Sequence, residues 1–209
     1  SGGRKHELAA SVAFLLAEND FLLGDFDDAV SAYRQWLKRY ADHAEANKAK
    51  FRLGMALYRQ QKFDDAREYL AAVARLATRD ATFRPATIAL GDISFHRSEW
   101  KKAAGYFEQY LETESTPPSA DDALLKLGLS RQRQDHFEAA MSAYDRLIKN
   151  HPKSPHHLQA MFERGQVLVA LERPGPAAKA FQGGIWNKCC SIWSIARSWR
   201  DNAAHAAGT

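Results

Sequence analysis

The stretch DFDDAVSAY at residues 25–33 returns 37 positions later as KFDDAREYL at residues 62–70. The alanine of this phrase keeps the same interval along most of the chain, at Ala29, Ala66, Ala103, Ala140 and Ala177. Self-similarity at a fixed period of about 20 to 50 residues is typical of proteins built by stacking one small unit. The phrase therefore predicts an array of five copies, each 37 residues long.

Three further positions keep this register. The residue four places after the alanine is large and apolar: Tyr33, Leu70, Phe107, Tyr144 and Phe181. The residue twelve places before it is small: Ala17, Gly54, Gly91, Gly128 and Gly165. The residue three places before it is aromatic in four copies, at Phe26, Phe63, Trp100 and Phe137, and Pro174 ends the series. A small residue facing a large one lets two helices approach closely, so each copy is predicted to be a pair of antiparallel helices.

The first and second helix of each copy are called helix A and helix B below. The pattern predicts A/B pairs at 8–22/26–40, 45–60/63–76, 82–96/99–113, 119–133/136–149 and 156–171/175–182. Paired acids such as Asp27 and Asp28 open several helices B, where carboxylates complement the helix dipole. We expect the repeats to occupy residues 1–182 and an atypical tail to follow at 183–209.

The composition argues against a nucleic-acid-binding protein and against a transmembrane protein. A net charge of +4, with basic and acidic residues interleaved, lacks the basic stripe of a nucleic-acid binder. The sequence contains no run of about 18 apolar residues, so no transmembrane segment is expected. The two cysteines are the neighbours Cys189 and Cys190, which favours free thiols.

The repeat resembles the tetratricopeptide repeat (TPR), in which Leu-Gly is followed by an aromatic residue, then Ala-x3-aromatic, then proline. The motifs that carry the resemblance are LGMALY (53–58), AREYL (66–70), LGDISF (90–95), LGLS (127–130) and AMSAY (140–144) with Pro152. The resemblance implies an all-α fold, a right-handed α-solenoid of about five helix-turn-helix repeats plus a C-terminal helix. Helices A would line its concave face.

That resemblance also implies a non-catalytic scaffold that binds a peptide or protein segment in the concave groove. By comparison with the family, the inward-facing residues are Phe14, Glu18, Phe21, Phe51, Met55, Tyr58, Ile88, Asp92, Phe95, Leu125, Leu129, Gln132, Phe162, Gln166 and Val169. Some of these could equally pack against neighbouring repeats. Self-assembly is the alternative function, through the repeats or through the tryptophan-rich tail.

A looser similarity links YRQWLKRYADHAEANKAKFRLGMALY (33–58) to TPR proteins of the bacterial envelope, namely barrel-assembly lipoproteins and Tol–Pal coordinators. It implies an adaptor segment of a larger envelope-assembly protein, with a periplasmic location preferred over a cytoplasmic one. The opening Ser-Gly-Gly resembles a scar of tag removal, so a natural leader could have preceded it.

The sequence offers only weak candidates for a catalytic site or a metal site. The aspartate pairs Asp27–Asp28 and Asp64–Asp65 stand at matching helix starts, which favours a structural role over a catalytic dyad. Histidines at 151, 156 and 157 lack the single-face spacing of a metalloprotease motif, so no metal and no cofactor is expected. The tail GGIWNKCCSIWSIARSWRDNAAHAAGT (183–209) is either a capping helix or a segment foreign to the repeat.

Overall fold

A computed structural model of the chain describes residues 2–76, 81–112, 117–173 and 176–177. Within these residues all regular structure is α-helical, in nine helices. They are α1 (Gly2–Leu23), α2 (Phe26–Arg39), α3 (Ala46–Arg59), α4 (Phe63–Ala74), α5 (Phe83–His96), α6 (Trp100–Leu111), α7 (Ala120–Gln132), α8 (Phe137–Asn150) and α9 (His157–Ala170). The predicted all-α helical-repeat solenoid is confirmed, with the odd-numbered helices as helices A.

The chain divides into two compact units, Ser1–Arg97 and Ser98–Thr209. In the first unit consecutive helices pack on each other from α1 through α5, and in the second unit consecutive helices do so from α6 through α9. This nearest-neighbour packing is what a stack of repeats requires. None of the helices in the described residues has the length and apolar character needed to cross a bilayer.

The small-against-large packing predicted from the repeat columns is present. The columns of Ala29 and Tyr33 are fully buried wherever the structure describes helix B, at Ala29, Ala66, Ala103, Ala140, Tyr33, Leu70, Phe107 and Tyr144. A Cβ placed on Gly54 would lie 2.8 Å from Cγ of Leu70, and one on Gly128 only 2.3 Å from Cε1 of Tyr144. These glycines therefore let helix B lie directly on helix A.

The turns between helices A and B share a feature that the sequence did not reveal. One residue of each turn adopts a positive φ, at Gly24 (88°), Gln61 (60°), Ser98 (57°), Asp135 (57°) and Glu172 (53°). These residues are again 37 apart. At Gln61 the turn forms a Schellman motif, in which the N–H of Gln61 donates to the Tyr58 carbonyl and the N–H of Lys62 to the Leu57 carbonyl.

The helix bounds agree with the prediction to within two residues, with one exception. Helix α1 begins at Gly2, six residues before the predicted start at residue 8. Two of the links from helix B to helix A are fully described, at 40–45 and 151–156, and each is longer than the A–B turn at 60–62. Most of the predicted helix at 175–182 and the tail at 183–209 lie outside the described residues.

Candidate functional site

The predicted inward-facing residues fall into two groups. Phe14, Phe51 and Leu125 are buried, so they support helices A from within. The remaining ones keep part of their surface accessible, namely Glu18, Phe21, Met55, Tyr58, Ile88, Asp92, Phe95, Leu129, Gln132, Phe162, Gln166 and Val169. We call this second set the A-helix face, and each unit carries its own part of it.

In the first unit the A-helix face is largely aromatic. The hydroxyl of Tyr58 on α3 donates to Asp92 Oδ2 on α5 at 3.0 Å, which joins two successive helices A. The Phe21 ring packs edge-on against Phe26, with 5.6 Å between centroids. With Met55 and Phe95 half-buried, this part of the face offers rings and a thioether held in place by neighbouring helices. Such side chains can contact the apolar side chains of a bound segment.

A charged cluster stands at one end of this face. The Tyr33 hydroxyl donates to Glu18 Oε1 at 2.5 Å, and Arg52 pairs with the same carboxylate at 2.6 Å through Nε and at 2.9 Å through Nη2. The Arg52 guanidinium also lies over the Phe21 ring, 5.1 Å from its centroid. Burial, reinforced by the Glu18 carboxylate, raises the pKa of the Tyr33 phenol, so Tyr33 stays a donor. Glu18 therefore reaches the surface with its charge already balanced.

In the second unit the face is aliphatic and amide-rich. The Tyr144 hydroxyl donates to Gln132 Oε1 at 2.8 Å. The side chain of Glu163 on α9 lies near Gln132. Burial raises the pKa of the Glu163 carboxyl, while Gln132 and the nearby Arg133 act in the opposite direction. This part of the face thus holds a half-buried acid near the amide of Gln132.

Arg52 and Glu163 were missed in the sequence analysis. They occupy the same place in their repeats, since the 111 residues between them are three periods of 37. Both follow a predicted inward-facing phenylalanine, Phe51 and Phe162, by one position. The signal that could have found them was the change of charge in this column, which reads Arg52, Ala89, Lys126 and Glu163.

The acids that open helices B contact the neighbouring repeat. Asp27 accepts from Gln60 Nε2 at 2.9 Å, Asp64 pairs with Arg97, and Glu138 accepts from Arg173 at 2.9 Å. These carboxylates are exposed at the surface. An exposed carboxylate bonded to the next repeat has a structural use, and it lacks the burial that splits the pKa values of a catalytic pair.

His96 and His156 contact different partners. The imidazole of His96 stacks on the Phe63 ring with 5.6 Å between centroids, and His156 Nε2 lies 3.7 Å from Asp122 Oδ1. Among the described residues, no group of three or more His, Cys, Asp or Glu is arranged to hold a metal ion. Cys189 and Cys190 lie outside those residues.

Comparisons with solved structures agree with this fold. A crystal structure of MamA superposes with a TM-score of 0.68 at 22% identity, covering 83% of this chain and 88% of that one. A MamA fragment from Desulfovibrio magneticus RS-1 gives 0.66 at 16% identity, covering 83% and 91%. YrrB, described as a TPR protein with an unusual peptide-binding site, gives 0.71 at 14% identity, covering 89% and 90%. A search of curated protein sequences gives no match.

Family models agree more directly, because they match the sequence itself. One model described as tetratricopeptide repeat matches residues 14–81 and again 51–120, and a second matches residues 122–154. Together these matches span well over half of the chain. The repeat columns, the buried alanines and the family matches lead to one conclusion: the chain belongs to the tetratricopeptide repeat family.

Proposed function

We propose that this chain is a non-catalytic scaffold that binds a peptide or protein segment on its A-helix face. The observation that carries the proposal is the partial exposure of rings and a thioether along helices A of the first unit, at Phe21, Met55, Tyr58 and Phe95. The bulky column of helices B, by contrast, is fully buried. Apolar surface that the fold itself leaves accessible, on adjacent helices, is suited to a partner.

The chemistry of this surface indicates the partner class. Glu18 is balanced by Arg52, and Asp92 accepts from Tyr58, so these two carboxylates of the A-helix face are already bonded. The rings and Met55 then favour a segment with aromatic or long aliphatic anchors rather than one recognised by charge. YrrB, which shares the fold, is itself described as having a peptide-binding site.

The test is selection of peptides on the purified protein, followed by measurement of Kd by fluorescence polarisation. In a Met55→Ala/Phe95→Ala variant we expect the Kd of a selected peptide to rise about tenfold or more, because two contact side chains are truncated. The matched control is Tyr69→Ala, which removes a half-buried ring from helix B α4. Equal affinity for both variants and the parent would refute the A-helix face as the binding surface.

Self-assembly is the second candidate function. The observation in its favour is the set of exposed leucines on α1, where Leu8, Leu15 and Leu22 each leave most of their surface accessible. Light scattering across a range of concentrations separates the two candidates, since a scaffold that acts alone keeps the mass of one chain. An adaptor role within a larger envelope-assembly protein would use the same A-helix face.

A further inference from the structure

Helix α1 carries a second apolar face that no described residue covers. Leu8, Leu15 and Leu22 are 66%, 66% and 76% exposed, and Val12, Leu16 and Leu23 are also exposed. The opposite side of α1 is packed into its own unit, where Ala10, Phe14 and Ala17 are buried. A helix that is apolar on two opposite sides is expected to pack on both, because this many exposed leucines on one helix are unusual in a folded chain.

The exposed face has the spacing of a coiled coil. Residues 8, 12, 15, 19 and 22 are separated by alternating steps of four and three. In heptad terms Leu8, Leu15 and Leu22 occupy the d positions, Val12 and Asn19 the a positions, and Leu16 and Leu23 the flanking e positions. The buried residues Ala10, Phe14 and Ala17 then fall at f, c and f, on the side away from the seam. Leucine at d with a β-branched residue at a favours two strands, and one asparagine at a fixes register.

The length of α1 fits the same interpretation. It has 22 residues, whereas α3, α5 and α9 have 14. The other helices A begin at the place that corresponds to residue 9 of α1, so α1 starts one heptad earlier. This added heptad brings Leu8, the first d residue, into the helix.

A further TPR repeat stacked on α1 would cover Leu16, because its counterparts Leu53, Leu90 and Leu127 are buried. It would not explain Leu8 and Leu22. In the other helices A, the places of Leu8 and Leu22 are mostly polar: Glu45, Thr82, Ser119 and His156 for the first, Arg59, His96, Arg133 and Ala170 for the second. The place of Val12 is always a fully buried alanine, at Ala49, Ala86, Ala123 and Ala160. Stacking of repeats therefore needs a small residue at that place and makes no use of leucine at the other two.

We infer that α1 pairs in parallel with α1 of a second copy of this chain, through a seam of Leu8, Val12, Leu15, Asn19 and Leu22. Parallel pairing places the two Asn19 amides opposite each other, where each can donate to the other. Antiparallel pairing would place that amide against apolar side chains, which costs an unsatisfied polar group. The inference is independent of the A-helix face, so either can fail without the other.

The first test is the mass in solution, measured by sedimentation equilibrium and light scattering over a wide concentration range. We expect a species of twice the 23.5 kDa chain mass that dissociates on dilution. In Leu8→Glu/Leu15→Glu/Leu22→Glu we expect a single-chain mass with unchanged helix content, because these side chains are exposed in the single chain. The control is Leu158→Glu, an equally drastic change at a leucine of α9 that is 51% exposed, which should leave the dimer intact.

The second test addresses orientation. In a Cys189→Ser/Cys190→Ser background, Asn19→Cys should form an interchain disulfide under mild oxidation, because parallel a positions face each other. Asn47→Cys, at an exposed asparagine of α3, is the matched control and should stay monomeric on a non-reducing gel. A single-chain mass at every concentration overturns the proposal. So does a dimer that survives the three glutamates, or cross-linking no greater at Asn19 than at Asn47.

Discussion

The residue with a positive φ in each A–B turn allows a test of how backbone conformation affects the stability of the fold. Gln61 adopts a φ of 60°, a conformation that costs an L-residue about 1–2 kcal/mol. Glycine removes this cost but adds about 0.4–1 kcal/mol of conformational entropy to the unfolded chain. The Gln61 side chain is exposed, so its loss should remove no packing. We therefore expect Gln61→Gly to raise the free energy of unfolding by about 0.5–1 kcal/mol.

The neighbouring residue supplies a matched control. Gln60 is also a glutamine in the same turn, but its φ is −77°, where an L-residue is comfortable. Gln60→Gly should therefore lower the free energy of unfolding by about 0.5–1 kcal/mol, and the loss of its exposed hydrogen bond to Asp27 acts in the same direction. Urea denaturation followed by far-UV circular dichroism measures both, with unchanged m-values. If the two substitutions shift stability in the same direction, the argument from φ is refuted.

Two further predictions concern packing and protonation. Gly128→Ala should lower the free energy of unfolding by about 1–2 kcal/mol, because the new methyl group would overlap the buried Tyr144 ring by more than the helix-propensity gain offsets. Gly105→Ala on α6 meets no atom within 4 Å and should raise it by about 1 kcal/mol, so equal effects in urea denaturation would contradict the packing argument. Burial raises the folded-state pKa of Glu163 above its unfolded value, so the stability linked to this carboxyl is present at low pH and lost as pH rises through the folded pKa. Glu163→Gln should accordingly stabilise the chain at pH 7 and have little effect near pH 4, and a stabilisation that is the same at both values would argue against a raised pKa.

The helix pairs could be predicted from sequence because their packing needs particular residue sizes. Gly54 faces Leu70 and Gly128 faces Tyr144 at distances that leave no room for a larger residue unless helix B moves. The need for a small residue is therefore visible in the sequence at these two positions. The same holds for the alanine of helix B, which is fully buried in each described copy. Because these buried positions restrict the size of the side chain, they recur as recognisable columns in the sequence. The columns set the register of the described helices.

The left-handed turns could not be predicted because the fold imposes them on ordinary residues. Only Gly24 belongs to a type that favours a positive φ, whereas Gln61, Ser98 and Glu172 adopt it against their preference. The start of α1 was missed for a related reason. The six residues at 2–7 precede the predicted helix, and no column of the array reports on them.

The side chains that give the A-helix face its character lie outside the repeat columns. The tyrosine hydroxyl donates in both units, yet to different partners, Glu18 from Tyr33 and Gln132 from Tyr144. The place of Arg52, which balances Glu18, is taken in the second unit by the half-buried acid Glu163. Because the packing of helix B on helix A depends on the columns, these intervening positions are free to change charge from one repeat to the next. We therefore expect the two units to prefer chemically different segments, with apolar anchors on the first and a basic or amide group beside Glu163 on the second.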